Sequence, residues 1–213
     1  MTANFYPPVK VHVRASGSLL GRLAVSDPPS LENTTLVRID THTYDNIFSI
    51  ACNNDGSVLA SGSSDKTIKL WNFNTGALLK TLTSHNRTVD SVAFNHDDSM
   101  LASGSWDATI KLWNPSTGAL LRTLTGHNDS VQAVAFNPDG SVLASGSNDK
   151  TIKLWNPSTG ALLRTLTGYS STADTVVFNH DSSVLASSSW DNTIKLWNQI
   201  GRASCRERVC LIV

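Results

Sequence analysis

Four tryptophans, Trp71, Trp113, Trp155 and Trp197, stand 42 residues apart, and each closes a near-copy of the segment Thr151-Ile-Lys-Leu-Trp-Asn156. A fixed period of that length means that one supersecondary unit is copied and stacked, each copy burying its apolar face against its neighbours. Within the unit Ile152 and Leu154 alternate with Lys153, which predicts a strand with one face buried. A second strand precedes it (Val142-Leu-Ala-Ser-Gly-Ser147), and a third lies earlier still (Val131-Gln-Ala-Val-Ala-Phe136). A fourth, Ala161-Leu-Leu-Arg-Thr-Leu166, follows the turn Asn156-Pro-Ser-Thr-Gly160. Short strands joined by turns of Gly, Pro, Asn and Asp form an antiparallel meander, so the chain is all-β.

Six residues before each Trp stands an aspartate: Asp65, Asp107, Asp149 and Asp191. Gly126-His127 introduces the third strand of the list above, and Trp-Asn closes the unit. This pattern resembles the WD40 repeat family, whose members usually close on Trp-Asp. The resemblance covers residues 36–198 and implies a WD40-like β-propeller segment with four recognisable four-stranded blades. It also implies an incomplete ring, because family members more often have seven blades and the frame stops at Asn198, where Gly160-Ala-Leu-Leu-Arg would recur. In this family a sequence repeat straddles two blades, so Leu36-Val-Arg-Ile39 is the segment that would fill the last blade if four blades shut on themselves.

The flanks read differently. Residues 1–35 form a divergent leader, either a degenerate blade, since Val13-Arg-Ala-Ser-Gly-Ser18 echoes Val58-Leu-Ala-Ser-Gly-Ser63, or an unrelated strand-forming segment. Residues 199–213 break the frame; from Ile200 the tail resembles a translated sequencing adapter and is set aside from fold reasoning.

Lys plus Arg and Asp plus Glu number 17 each, so no net field favours nucleic acid or an acidic membrane surface. No segment approaches the ~20 apolar residues of a membrane helix, and the N-terminus lacks the apolar core of a signal peptide. The expectation is a cytoplasmic or nuclear protein that uses no cofactor, metal or small-molecule substrate. Cys52, which replaces the Phe of the other repeats (Phe94, Phe136, Phe178), is read as a small buried hydrophobe.

His, Ser and Asp recur at fixed spacing and invite comparison with a hydrolase. A catalytic constellation occurs once per site, whereas this set occurs once per repeat, as a structural hydrogen-bond network does. In the family resembled, these residues and the Trp indole bond one another within each blade. That implies networks of His85, Ser103, Asp107 and Trp113, and of His127, Ser145, Asp149 and Trp155. Repeat four has Tyr169 at the His position, and repeat one has Thr43 with His42 one residue early, so blades one and four are expected to be softer. There is no phosphate loop, zinc-protease motif or nucleophile elbow, and the chain is read as a non-enzyme.

Comparing the copies locates the variation. From Thr109 to Thr125 against Thr151 to Thr167 nothing changes. Differences fall in the turn after Gly-His (Arg87, Asp129, Ser171), at the next strand's start (Asp90, Gln132, Asp174) and beside the turn Asp (Ser64, Trp106, Asn148, Trp190). In a propeller these turns open on one end of the ring, where the family usually binds partners. Constant parts hold a fold and variable loops carry recognition. Candidate partner contacts are therefore Trp106, Trp190, Asp90, Gln132, Asp174, Arg87 and Asn148, and the function expected is a non-catalytic protein- or peptide-binding scaffold. The alternative is the sensor or substrate-recruiting arm of a larger enzyme, such as an NTPase-coupled receptor or a ubiquitin ligase.

Overall fold

The computed structural model describes residues 45–198, in which fifteen strands form four antiparallel sheets. Blade one comprises β1 (Ile47–Cys52), β2 (Val58–Ser63), β3 (Thr67–Asn72) and β4 (Leu78–Thr83). Blade two comprises β5 (Val89–Phe94), β6 (Leu101–Ser105), β7 (Ile110–Trp113) and β8 (Leu120–Leu124). Blade three repeats this with β9 (Val131–Phe136), β10 (Leu143–Ser147), β11 (Ile152–Trp155) and β12 (Leu162–Leu166). Blade four has three strands, β13 (Ala173–Phe178), β14 (Val184–Ser189) and β15 (Ile194–Asn198). Each sheet is a meander in sequence order.

The chain thus forms WD40-like propeller blades. Among the described residues three carry four strands and the fourth carries three. Among the described residues the first strands pack successively, β1 on β5, β5 on β9 and β9 on β13, with no comparable packing of β13 on β1. The arc is therefore open. The leader, the segment Leu36–Ile39, the residues His42 and Thr43, and the tail from Ile200 lie outside the described residues.

Local chemistry sets the turns. Asn53, Asn95, Asn137 and Asn179 each accept, through Oδ1, the backbone N–H that opens the second strand of their blade (Val58, Met100, Val142 and Val184), all at 2.8 Å. Asp55, Asp97, Asp139 and Asp181 accept N–H groups two residues on, the side-chain-to-backbone bonding that makes Asn and Asp turn formers.

The core lies between blades. Ile110 and Leu112 of blade two, with Ala102 and Leu124, pack on Val131, Val134 and Leu143 of blade three, and the same layer recurs at the other two joints. Ile68, Ile110 and Ile152 are fully buried, each contributing about 1.5–3 kcal/mol by leaving water. Close approach at these joints needs glycine: a Cβ on Gly104 would lie 2.8 Å from Val131 Cγ1, and one on Gly146 would lie 2.8 Å from the carbonyl oxygen of Ala173. Blade four has Ser188 at that position.

Blade one departs from the expectation for Cys52, which is only partly buried, although burial still pushes its thiol pKa up. Its Phe counterpart Phe136 is buried in the joint with the preceding blade. No described blade precedes blade one.

Candidate functional site

Two sets of polar residues invite a functional reading. The first lies inside the blades. In blade two Trp113 donates its indole N–H to Ser103 Oγ at 2.9 Å; Ser103 Oγ is 2.8 Å from His85 Nε2, and His85 Nδ1 is 2.8 Å from Asp107 Oδ2. With the ring proton on Nδ1, each donor has one acceptor: indole to hydroxyl, hydroxyl to imidazole, imidazole to carboxylate. Asp107 also accepts the N–H of Asn86 at 3.0 Å and the hydroxyl of Thr109 at 2.6 Å. Blade three repeats the chain through Trp155, Ser145, His127 and Asp149, at 2.9, 2.7 and 2.7 Å.

Burial raises the cost of ionising Asp107 and Asp149. Hydrogen bonds from His85 and Thr109, and from His127 and Thr151, outweigh it and hold both carboxyls well below the usual carboxylate range.

Ser, His and Asp stand here in the order and at the distances of a hydrolytic triad, but Ser103 and Ser145 are fully buried and each hydroxyl oxygen already receives an indole N–H. A substrate cannot reach them. What the arrangement does is tie β6 and β10, with their following turns, to the turns carrying His85 and His127.

Blade four solves the same problem differently. Tyr169 is buried where His stands in blades two and three, and its hydroxyl donates to the carbonyl of Ser187 at 2.9 Å and lies 2.6 Å from Ser187 Oγ. Trp197 donates to the same Oγ at 2.7 Å. The longer side chain reaches the serine without the carboxylate. Asp191 is left to the N–H of Ser170 and to Thr193, whose hydroxyl lies at 2.6 Å. Tyr169 thus supplies Ser187 with a partner in place of the missing His. In blade one Trp71 donates to Ser61 Oγ at 2.9 Å and Thr67 donates to Asp65.

The second set lies at one end of the sheets. The N–H groups of Ser64, Trp106, Asn148 and Trp190 donate to the carbonyls of Asn46, Thr88, Ser130 and Thr172, at 3.0, 3.0, 2.9 and 3.1 Å. The turn after the second strand is thereby fastened beside the turn that enters the first. Trp106, Asn148 and Trp190 are thus fastened by their backbone to residues two before Asp90, Gln132 and Asp174.

The ladder shows how the strand-start residues are presented. Pairing of the first and second strands skips one residue in each blade: Phe48, Asp90, Gln132 and Asp174. A bulge leaves its extra residue out of the ladder and re-aims that side chain. Phe48 completes this set, and the sequence comparison passed over it. Its signal was available, since it stands 42 residues before Asp90.

The bulge and turn positions meet across the joints. Phe48 of blade one packs edge-on against Trp106 of blade two, ring centroids 5.8 Å apart. Asp90 and Asn148, and Gln132 and Trp190, stand at the same offset of 58 residues in sequence. Trp106 is 40% exposed and Trp190 63%; Arg87 is exposed, while Asp90, Gln132, Asn148 and Asp174 are partly buried. Asn148 Oδ1 is buried with no hydrogen-bond partner.

Among the described residues no cluster of His, Cys, Asp and Glu could hold a metal ion, and no helix is long and apolar enough to cross a membrane. Among curated proteins, Protein HIRA of Zea mays is 36% identical over 69 residues, a stretch covering 32% of this chain and 7% of that protein. The family model described as "WD domain, G-beta repeat" matches residues 33–72, 76–114, 118–156 and 160–198, most of the sequence. With those four matches and the blade geometry above, the chain belongs to the WD40 repeat family.

Proposed function

We propose that this chain is a non-catalytic scaffold that binds another protein or peptide on the end of the blades carrying the bulge residues and the turns after the second strands. Members of the family generally bind other proteins and are generally non-catalytic. The observation that carries the reading is that the bulge residues Phe48, Asp90, Gln132 and Asp174 and the exposed turn residues Trp106 and Trp190 vary between blades, with Phe48 meeting Trp106 across a joint. Repeats that are otherwise near-duplicates differ where a partner would touch two blades at once. Trp106 and Trp190 supply large, partly exposed aromatic area, the residue type most enriched among interface hot spots. Arg87, Asp90, Gln132, Asn148 and Asp174 give the polar contacts that fix the partner's register.

Affinity capture from cell extract tests this. A variant carrying Trp106→Ala and Trp190→Ala is compared with wild type and with a control carrying Ser116→Ala and Ser158→Ala, in exposed turns between third and fourth strands. Loss of about 2 kcal/mol per tryptophan lowers affinity roughly thirtyfold for each. Proteins captured by wild type and control should be missing from the tryptophan variant. The same proteins on all three would rule the face out.

A further inference from the structure

The outer wall of the blades carries leucines that the fold does not bury. Leu120 and Leu121 of β8 and Leu162 and Leu163 of β12 are 42–53% exposed, whereas Leu124 and Leu166 of the same strands are buried. A lone exposed leucine needs no account, but here a pair recurs in each of blades one to three, Leu78 and Leu79 being the first.

Strand register fixes where the pairs stand. Leu120 is paired with Trp113 and Leu162 with Trp155, and residues directly opposite in an antiparallel pair share a face. Trp113 packs with Leu70 and Leu82 in the joint between blades one and two, and Trp155 with Leu112 and Leu124 in the joint between blades two and three. Leu120 and Leu162 therefore stand at the outer margin of those joints, on the side of the later blade. The ladder then skips Leu121 and Leu163, bulges that set a second exposed leucine after the first.

The earlier blade contributes a cation to the same margin. Lys80 is paired with Leu70 and Arg122 with Leu112, residues of those two joints. A Cβ added to Gly118, in the turn before β8, would lie 3.2 Å from Lys80 Cδ, and one on Gly160, before β12, would lie 3.5 Å from Arg122 Cδ. Each stem thus reaches the turn that leads into the next leucine pair. Two equivalent margins result, Lys80 with Leu120 and Leu121, and Arg122 with Leu162 and Leu163. The segments 72–84, 114–126 and 156–168, which hold these turns and outer strands, contain Lys80, Arg122 and Arg164 but no Asp or Glu, in a chain with 17 acidic residues.

We propose that the two margins dock an acidic, leucine-bearing segment of a partner protein, its apolar side chains covering the leucine pair and its carboxylates meeting Lys80 or Arg122. Acid is the charge that these segments lack, and an apolar side chain is what a half-exposed leucine takes from water. The bulges blunt the edge against strand addition, so side chains rather than backbone carry the contact. Propeller blades stand around an axis, so the two margins face different directions; a flat lipid surface does not meet both, whereas a segment of chain can follow the wall. Two equal margins one blade apart raise the affinity of a partner that engages both. The margins lie on the outer wall, and the inference does not rest on what the variable end binds.

Fluorescence anisotropy with the full 213-residue chain tests the inference. The probes are a labelled peptide of leucine, alanine and glutamate and its counterpart with every glutamate replaced by lysine. Wild type should bind the acidic peptide and not the basic one. Leu120→Ser, Leu121→Ser, Leu162→Ser and Leu163→Ser together should weaken that binding about tenfold or more, the factor expected when even one leucine no longer leaves water. Lys80→Glu with Arg122→Glu should lose the acidic peptide and gain the basic one. Lys66→Glu with Lys150→Glu makes the same change of net charge at exposed lysines beside the turn aspartates, and should bind the acidic peptide as wild type does. Equal binding of both peptides, an unchanged leucine variant, or a charge-reversed variant that keeps the acidic peptide would each overturn the inference. So would binding to vesicles of phosphatidylcholine and phosphatidylserine without binding to the acidic peptide, which would assign the margins to a lipid surface. Self-association of wild type that the leucine variant loses, again without peptide binding, would assign them to a second copy of the chain. Circular dichroism checks that the variants fold; where the serine variant does not, the charge-reversed variant decides.

Discussion

Ser91 Oγ accepts the backbone N–H of Val134 at 3.1 Å, so a side chain of the first strand in blade two fastens the first strand of blade three. Ser49 accepts the N–H of Val92 in the same way at the joint before it, also at 3.1 Å. At the third joint the residue facing Val176 is Ala133, which has no hydroxyl. Ala133→Ser should install the missing bond and raise stability by about 0.5–1.5 kcal/mol, the net value of a typical hydrogen bond. Thermal melting checks it; an unchanged or lower melting temperature would show that the joint between blades three and four has no room for the oxygen.

Asp149→Ala should destabilise more than Asp191→Ala. Asp149 holds His127, the N–H of Asn128 and the hydroxyl of Thr151, and through His127 it orders Ser145 and Trp155. Its removal leaves buried His127 and partly buried Thr151 without their acceptor, at a cost of about 2–4 kcal/mol. Asp191 holds the N–H of Ser170 and Thr193 but no ring nitrogen, because Tyr169 reaches Ser187 without it. Equal losses in chemical denaturation would refute the distinction.

The two network carboxylates also set an acid limit. Their pKa values are depressed in the folded chain, so their contribution is complete above the unfolded aspartate value of about 3.9 and is lost as pH falls through the folded values. Melting temperature should hold level near neutral pH and drop below about pH 4. A variant with Asp107→Asn and Asp149→Asn should melt lower at neutral pH and show a shallower acid decline. Parallel curves would place the acid sensitivity elsewhere.

The repeat made most of the fold legible, since the strand predicted over Val131–Phe136 is observed with those bounds and recurs at the 42-residue period as Ile47–Cys52, Val89–Phe94 and Ala173–Phe178. The residues of the intact networks could be read for the same reason, because two near-identical copies stand in one frame. The bulges were not legible. Phe48 sits inside an apolar alternation, and only the ladder shows that pairing skips it. Nor was the Tyr169–Ser187 bond of blade four, because a Tyr in place of His gives no sign in sequence that its hydroxyl reaches Ser187.

The two exposed tryptophans should separate in stability. Trp106 lies edge-on against Phe48, an arrangement worth about 0.5–1.5 kcal/mol beyond area burial, whereas Trp190 is 63% exposed. Trp106→Ala should therefore lower the melting temperature, and Trp190→Ala, at the more exposed site, should change it less. The reverse order would show that Trp190 is the packing residue.

Tyr169 provides the sharpest test of how a blade tolerates a lost histidine. Its ring packs near Trp197, centroids 6.3 Å apart, and its hydroxyl bonds Ser187, which also receives the Trp197 indole. Tyr169→Phe keeps the ring and removes the bond, leaving the buried carbonyl and hydroxyl of Ser187 short of one partner at a cost of about 1–3 kcal/mol. Tyr169→His puts back the side chain that in blades two and three bridges serine to carboxylate, with Ser187 and Asp191 at the matching positions. That variant should retain more stability than Tyr169→Phe, and its melting temperature should acquire an acid dependence through Asp191, whose carboxyl would then hold an imidazole as Asp107 and Asp149 do. If Tyr169→His is instead the less stable of the two, the backbone of blade four has adjusted to the longer side chain and can no longer seat the network of its neighbours.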